Sequence, residues 1–162
     1  MEKLNTLCAF DELIAKTENV DTSVEEFFLC FGFRGHTDLR NFHVTLAYLG
    51  MPSSWNLNDV KKMVDHHFKN FSHDISSFSV LFNRPAMFGK DKNIRVLLVT
   101  EEDQEFTDVL FLKDLWRDCK AFRNHDFPFN PHMTTELGSF MGVVDKLYLC
   151  GRSYKIYKEW SL

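Results

Sequence analysis

His43-Val44-Thr45 and His132-Met133-Thr134 repeat one pattern, a histidine, an apolar residue and a threonine, once in each half of the chain. Side chains alternate across an extended strand, so each tripeptide sets an imidazole and a hydroxyl side by side, with an apolar anchor on the other face. Two such pairs facing each other across a groove can transfer a phosphoryl group without a metal. One neutral imidazole takes the proton of an attacking hydroxyl or water, and the other, protonated, delivers one to the leaving oxygen. The threonine hydroxyls donate to the non-bridging phosphate oxygens, where negative charge builds. Histidine suits both jobs near neutral pH because its unperturbed pKa is about 6.5. His43, Thr45, His132 and Thr134 are therefore the expected catalytic set.

The elements that must position them follow from pattern. Phe27–Phe33 (FFLCFGF) is a short aromatic run that reads as a buried strand, and Phe42–Leu49 is a second strand closed by Gly50-Met51-Pro52. Leu57, Val60, Val64, His67, Phe68 and Phe71 recur at helical spacing, with Asn56 or Asn58 as the cap. Strands are expected at 78–82 and 94–99, separated by loops at Asn83-Arg84-Pro85 and 89–93. A second helix carries Phe106, Val109, Leu112, Trp116 and Cys119 on one face, acidic at its start and basic near its end. Strands near 132–137, 143–150 and 154–160 complete the chain. Phe10, Leu13 and Ile14 suggest a short helix in the polar segment 1–23, and Asn19–Ser23 reads as a loop. The order, strand-strand-helix twice over and then strands, predicts a pseudo-duplicated α+β domain. Its two antiparallel sheets would face a central cleft, with the helices outside.

Composition narrows the ligand. The chain has 162 residues, 44% hydrophobic and 26% charged, with a formal net charge of −4. Proteins that grip long nucleic acid carry a basic excess, so any nucleic-acid ligand is expected to be a nucleotide or short oligonucleotide, gripped locally, and not a long nucleic acid. No run is long and apolar enough for a bilayer, and the first residues lack a signal-peptide pattern. Cys8, Cys30, Cys119 and Cys150 are scattered without a CxxC pair, which points to buried thiols in a reducing cytoplasm, with neither bridges nor zinc. One domain over 1–162 is expected, without cofactor, metal or membrane partner.

The sequence resembles the 2H phosphoesterases over about residues 27–160. NFHVTLAYLG and FNPHMTTELG carry the resemblance, with weaker support from FFLCFGF, MFGKDKNIRVLLV and GRSYKIYKEWSL. It implies a bilobal fold with both motifs lining the cleft. The implied chemistry is metal-independent hydrolysis or transesterification at 2′–5′, 3′–5′ or 2′,3′-cyclic phosphodiesters. Thr135 stands where the family usually has an apolar residue. Small stand-alone relatives encoded by viruses and phages degrade immune messengers such as 2′–5′ oligoadenylates and cyclic dinucleotides, which would place this chain in a host cytosol. The competing readings are RNA-end processing at 2′,3′-cyclic phosphates and a non-catalytic nucleotide-binding module.

Substrate contacts are expected from rings and cations near strand ends. Phe31, Phe33, Tyr48, Tyr154 and Trp160 are candidate stacking surfaces, with Phe88 beside them. Arg34 is a candidate phosphate clamp, as are Lys90 and Arg152. Seventeen phenylalanines mean that most rings must be core. His66, His67 and His73 read as solvated, and Asp59 and Asp65 as helix-surface charges.

Overall fold

A computed structural model describes residues 25–52, 55–72, 75–101, 110–123, 125 and 129–162. The readings made for residues 1–23, for His73 and for the start of the second helix (Phe106, Val109) lie outside these.

Among the described residues, seven strands and two α-helices alternate as anticipated. They are β1 (Phe27–Phe33), β2 (Val44–Gly50), α1 (Leu57–Asn70), β3 (Phe78–Phe88), β4 (Ile94–Val99), α2 (Leu110–Asp118), β5 (His132–Thr134), β6 (Phe140–Gly151) and β7 (Ile156–Ser161). Every pairing is antiparallel, in the order β2-β1-β6-β3-β4-β5, with β7 also on β6. The architecture is the expected α+β one, but the two expected sheets are joined: all seven strands hydrogen-bond into a single sheet with two arms. β6 is the joint: Phe140–Val144 pairs with β3, while Val144–Gly151 pairs with β1. The two ends of the order, β2 and β5, come back within 8 Å of each other between Cα atoms. These are the strands that carry the two motifs.

β1 shows how the sheet divides its faces. Phe27, Leu29, Phe31 and Phe33 enter the main core with Val60 and Val64 of α1 and Leu112 and Leu115 of α2. Phe28 and Cys30 face the opposite way, into a small cluster with Leu39, Tyr48 and Cys150. Gly32 belongs to that second face. A Cβ there would lie 2.5 Å from the Tyr148 ring, which explains a glycine in mid-strand. A third cluster, Phe88 and Val96 with Ala86, Ile94 and Leu98, lies apart from the main core. Cys30, Cys119 and Cys150 are all buried.

A bulge in β2 protects this division. Leu29 pairs with Ala47 and Cys30 with Thr45, so Leu46 is an extra residue. Val44 and Leu46 on one side of the bulge and Ala47 and Leu49 on the other therefore all reach the main core. Thr45 and Tyr48 are left on the other face.

α1 starts in a capping box. The Asn56 side chain accepts from the Asp59 backbone N–H, and the Asp59 side chain accepts from that of Asn56. β3 corrects an expectation: Asn83-Arg84-Pro85 is strand, not loop. The register shifts between Phe82 and Arg84 as the strand passes from β6 to β4. Pro85, which has no N–H, falls where only β4 pairs with β3. His67 corrects another. It is buried rather than solvated, stacked on Phe71 with Nε2 2.7 Å from Asp118 Oδ2, and so ties α1 to α2. No helix among the described residues is long and apolar enough to cross a membrane.

Candidate active site

Both motifs sit as alternation requires. Thr45 pairs with Cys30 across β1, on the face away from the helices. On β5, Met133 pairs with Leu97 and enters the main core, while His132 and Thr134 pair with Leu98 and Val96 of the third cluster. The imidazoles are largely shielded from solvent, His43 at 5% and His132 at 3% exposure.

The two rings are held in the same way. His43 Nδ1 lies 2.5 Å from the Leu39 carbonyl oxygen, and His132 Nδ1 lies 2.9 Å from that of Asn130. A carbonyl can only accept, so Nδ1 carries the proton in both rings and donates it. In the neutral tautomer Nε2 is then the basic nitrogen, and in the imidazolium it is a donor. Each histidine is thereby set to use the same atom as either base or acid.

Rings pack around both. Phe28 and Tyr154 stand 6.1 and 5.6 Å from the His43 ring, and Phe88 stands 5.3 Å from that of His132. Tyr154 adopts a positive φ of 65°, a costly backbone for a non-glycine residue, and the Arg40 guanidinium lies 4.9 Å over its ring. Beneath them the Tyr48 hydroxyl donates to the Glu26 carboxylate. Burial, and then that bond and charge, push the Tyr48 phenol well above its ordinary value, while Arg152 opposes the shift.

A groove of about 660 Å³ is lined both by Asn41 and Phe42, just before His43, and by Thr134–Leu137 of the second motif and its loop. Asn93 and Arg95 add to its walls. Arg95 fastens that loop. Its backbone oxygen accepts the Thr135 N–H at 3.3 Å, and its Nη1 donates to the carbonyls of Thr135 (2.9 Å) and Leu137 (2.5 Å). Among the described residues no group of three or more His, Cys, Asp or Glu could hold a metal ion.

The substrate-contact candidates divide. Tyr154 stands beside His43 and Phe88 beside His132, as proposed for rings near the site. Phe31 and Phe33 do not serve, because they occupy the helix-covered core on the face of β1 away from Thr45. Trp160 is core as well: it pairs with the core residue Leu147, and its indole N–H donates to Asp65 of α1 at 2.7 Å. Tyr48 shares the motif's face but is buried inside its cluster. Arg34 is engaged by Asp145 (3.4 Å) and Ser77 (3.3 Å), Lys90 is exposed in the β3–β4 turn, and Arg152 is buried, its backbone N–H donating to the Glu26 carbonyl. Arg40 and Arg95 were not singled out from sequence. Arg95 had a signal, a lone charge within the apolar run IRVLLV. Arg40 had none, since its ring partner lies in a distant part of the chain.

Comparison with known proteins agrees with this geometry. The 2′-5′ RNA ligase superfamily profile matches residues 18–143. Among curated protein sequences none matches. The fold is similar to E. coli LigT solved with 3′-AMP, at 16% identity over 86% of this chain and 99% of that one, TM-score 0.55. LigT in its apo form gives 17% identity, 86% and 98% coverage and a TM-score of 0.53. A structure described as a phosphoesterase gives 15%, 86%, 99% and 0.53. At these identities the likeness to the solved structures is one of fold, and it is the family profile, joined to the paired motifs, that decides membership. The chain belongs to the 2′-5′ RNA ligase superfamily of 2H phosphoesterases and is an enzyme of that family.

Proposed function

We propose that the chain is a metal-independent phosphodiesterase that cleaves 2′–5′ or 3′–5′ bonds in short oligonucleotides or cyclic dinucleotides. The observation that carries this reading is the shared anchoring of His43 and His132 through Nδ1–H to a backbone carbonyl. It commits Nε2 of both rings to proton transfer. Nε2 of one ring takes the proton of an attacking water or ribose hydroxyl as its oxygen bonds to phosphorus. Nε2 of the other, protonated, gives its proton to the oxygen whose bond to phosphorus breaks. Thr45 and Thr134 donate to the non-bridging oxygens. One substrate phosphate is neutralised by an imidazolium, so the chemistry requires no cation.

The net charge of −4 favours a short ligand over a long RNA. Immune messengers such as 2′–5′ oligoadenylate and cyclic dinucleotides such as cGAMP are short, and their degradation in a host cytosol is the biological role that fits this reading.

The test is incubation with 2′–5′ oligoadenylates, 2′,3′- and 3′,3′-cyclic dinucleotides and 2′,3′-cyclic mononucleotides in excess EDTA, with products resolved by chromatography. Cleavage of at least one diester at an undiminished rate is expected. Turnover abolished by EDTA and restored by a divalent ion would overturn the mechanism. Turnover confined to 2′,3′-cyclic ends would move the assignment to RNA-end processing.

A further inference from the structure

The groove beside the second motif has a polarity that the two histidines do not require. Its walls are Phe42, Asn93 and Leu137, with Asn41, Arg95 and Glu136 among its polar groups. At about 660 Å³ it falls in the size range of small-molecule sites. It is lined by Asn41 and Phe42, the residues just before His43, and by Thr134 itself, and so adjoins both motifs.

Several of the polar groups are already engaged. The Asn41 amide nitrogen donates to Asp38 at 2.6 Å. Arg95 is fixed on the carbonyls of Thr135 and Leu137, and the Thr135 hydroxyl accepts the Leu137 N–H at 3.1 Å. The residue between those two fastened carbonyls is Glu136. Its backbone is held from both sides while its exposed side chain lines the groove. Phe42 is also fixed, with His36 at 4.4 Å and Phe140 at 5.4 Å between ring centroids. A ring and a carboxylate on immobilised backbone make a pre-organised surface, which lowers the ordering cost of binding.

We propose that this groove is a nucleobase subsite that selects guanine, stacked on Phe42 and read by the Glu136 carboxylate. The assignment rests on the phosphodiesterase reading for its nucleotide ligand, and within that reading it favours guanine-containing dinucleotides over 2′–5′ oligoadenylates, whose bases are all adenine. A carboxylate only accepts hydrogen bonds, whereas an amide such as that of Asn93 adapts to either partner. Guanine presents N1–H and N2–H side by side and so matches both carboxylate oxygens. Adenine and cytosine offer one amino donor beside a ring acceptor, and uracil one N–H between two carbonyls. The carboxylate also repels phosphate, which directs the anionic part of the ligand toward the histidines. Arg95 is the positioning residue that holds Glu136 in place.

The experiment measures binding of the 3′-monophosphates of guanosine, adenosine, cytidine and uridine by calorimetry, for the native protein and for Glu136→Gln, alongside turnover of dinucleotides that differ in one base. Guanosine monophosphate should bind at least about tenfold tighter than the uridine compound, the scale of one good bidentate base contact. Glu136→Gln, an exposed exchange that leaves the fold intact, should bring all four within about threefold. Equal or undetectable binding of the four, or a guanine preference unchanged in Glu136→Gln, overturns the subsite. Guanine preference without cleavage of any diester supports the subsite and overturns the enzymatic reading. Cleavage without base preference does the reverse.

Discussion

The surroundings of His43 and His132 differ more than the motifs do. His43 leads into a seven-residue strand whose residues are all buried. It stands beside Phe28 and Tyr154, members of a closed cluster that also holds Leu39, Tyr48 and Cys150, with Arg40 laid over Tyr154. His132 belongs to a strand of only three residues, with the Phe88 ring against it and a groove immediately beyond Thr134. Its loop is kept in place by the polar contacts of Arg95 rather than by packing. Both nevertheless reach the same Nδ1–carbonyl anchor. Each imidazole thus meets a backbone acceptor in the same way, while the rest of its surround differs: closed packing on the first side, an open groove on the second.

The largest test of that comparison removes the rings. On the proposed two-histidine scheme, His43→Ala and His132→Ala should each lower kcat by about 10²–10⁴-fold with the melting temperature little changed. The double mutant should lose far less than the product of the two. Full activity in either single mutant would end the two-histidine scheme, and equal loss of activity and stability would make the residues structural. Next come the donors. Thr45→Val and Thr134→Val should each cost about 10²–10³-fold in kcat, the scale of one lost oxyanion donor. If the two sides are equivalent in chemistry the two losses match, and a loss at Thr134 alone would show that only the open side holds the phosphate.

A smaller effect separates the surrounds. Tyr154→Asn keeps a residue that tolerates positive φ but removes the ring beside His43. Activity should fall about 3–10-fold, the range of a lost ring contact, in steady-state assays. An unchanged rate would show that the first cluster has no part in positioning His43.

The smallest effect is one of pH. Folding holds the Tyr48 phenol protonated above its ordinary value near 10, chiefly because it is buried. Its stabilising contribution is therefore complete below that pH and is lost as pH rises through the folded value. Thermal unfolding followed by circular dichroism should show a melting temperature that falls above about pH 10, and falls less steeply in Tyr48→Phe. An identical slope in both proteins would mean that the first cluster does not hold that proton.

Much of this was legible in the sequence because period and punctuation agree with the fold. Thr45 against Val44 and Thr134 against Met133 need only the alternation of a strand, and Asn56 with Asp59 announces the start of α1 through side-chain chemistry alone. The failures came where two faces compete for the same residue type. Phe31 and Phe33 do share a face, but the small residues Cys30 and Gly32 mark the other face as the one toward the motif. Trp160 and His67 answer to partners on α1 and α2 that no local pattern specifies. Pro85 misled because a proline is excluded only where both edges of a strand are paired. The wall of the groove depends on Arg95 meeting the carbonyls of Thr135 and Leu137 across a loop, which spacing along the chain does not encode.

β2 and β5 are the two ends of the strand order, and each leaves a row of backbone donors and acceptors that a foreign chain could extend into a larger sheet. Their return to within 8 Å of one another leaves too little room for such an addition. β7, paired with β6 off the main order, is short and carries exposed Lys158 and Glu159, charges that discourage edge-to-edge growth. The return of the two motif strands toward one another thus also shields their edges from such addition. Variants that widen the gap between the two strands should become insoluble as well as inactive.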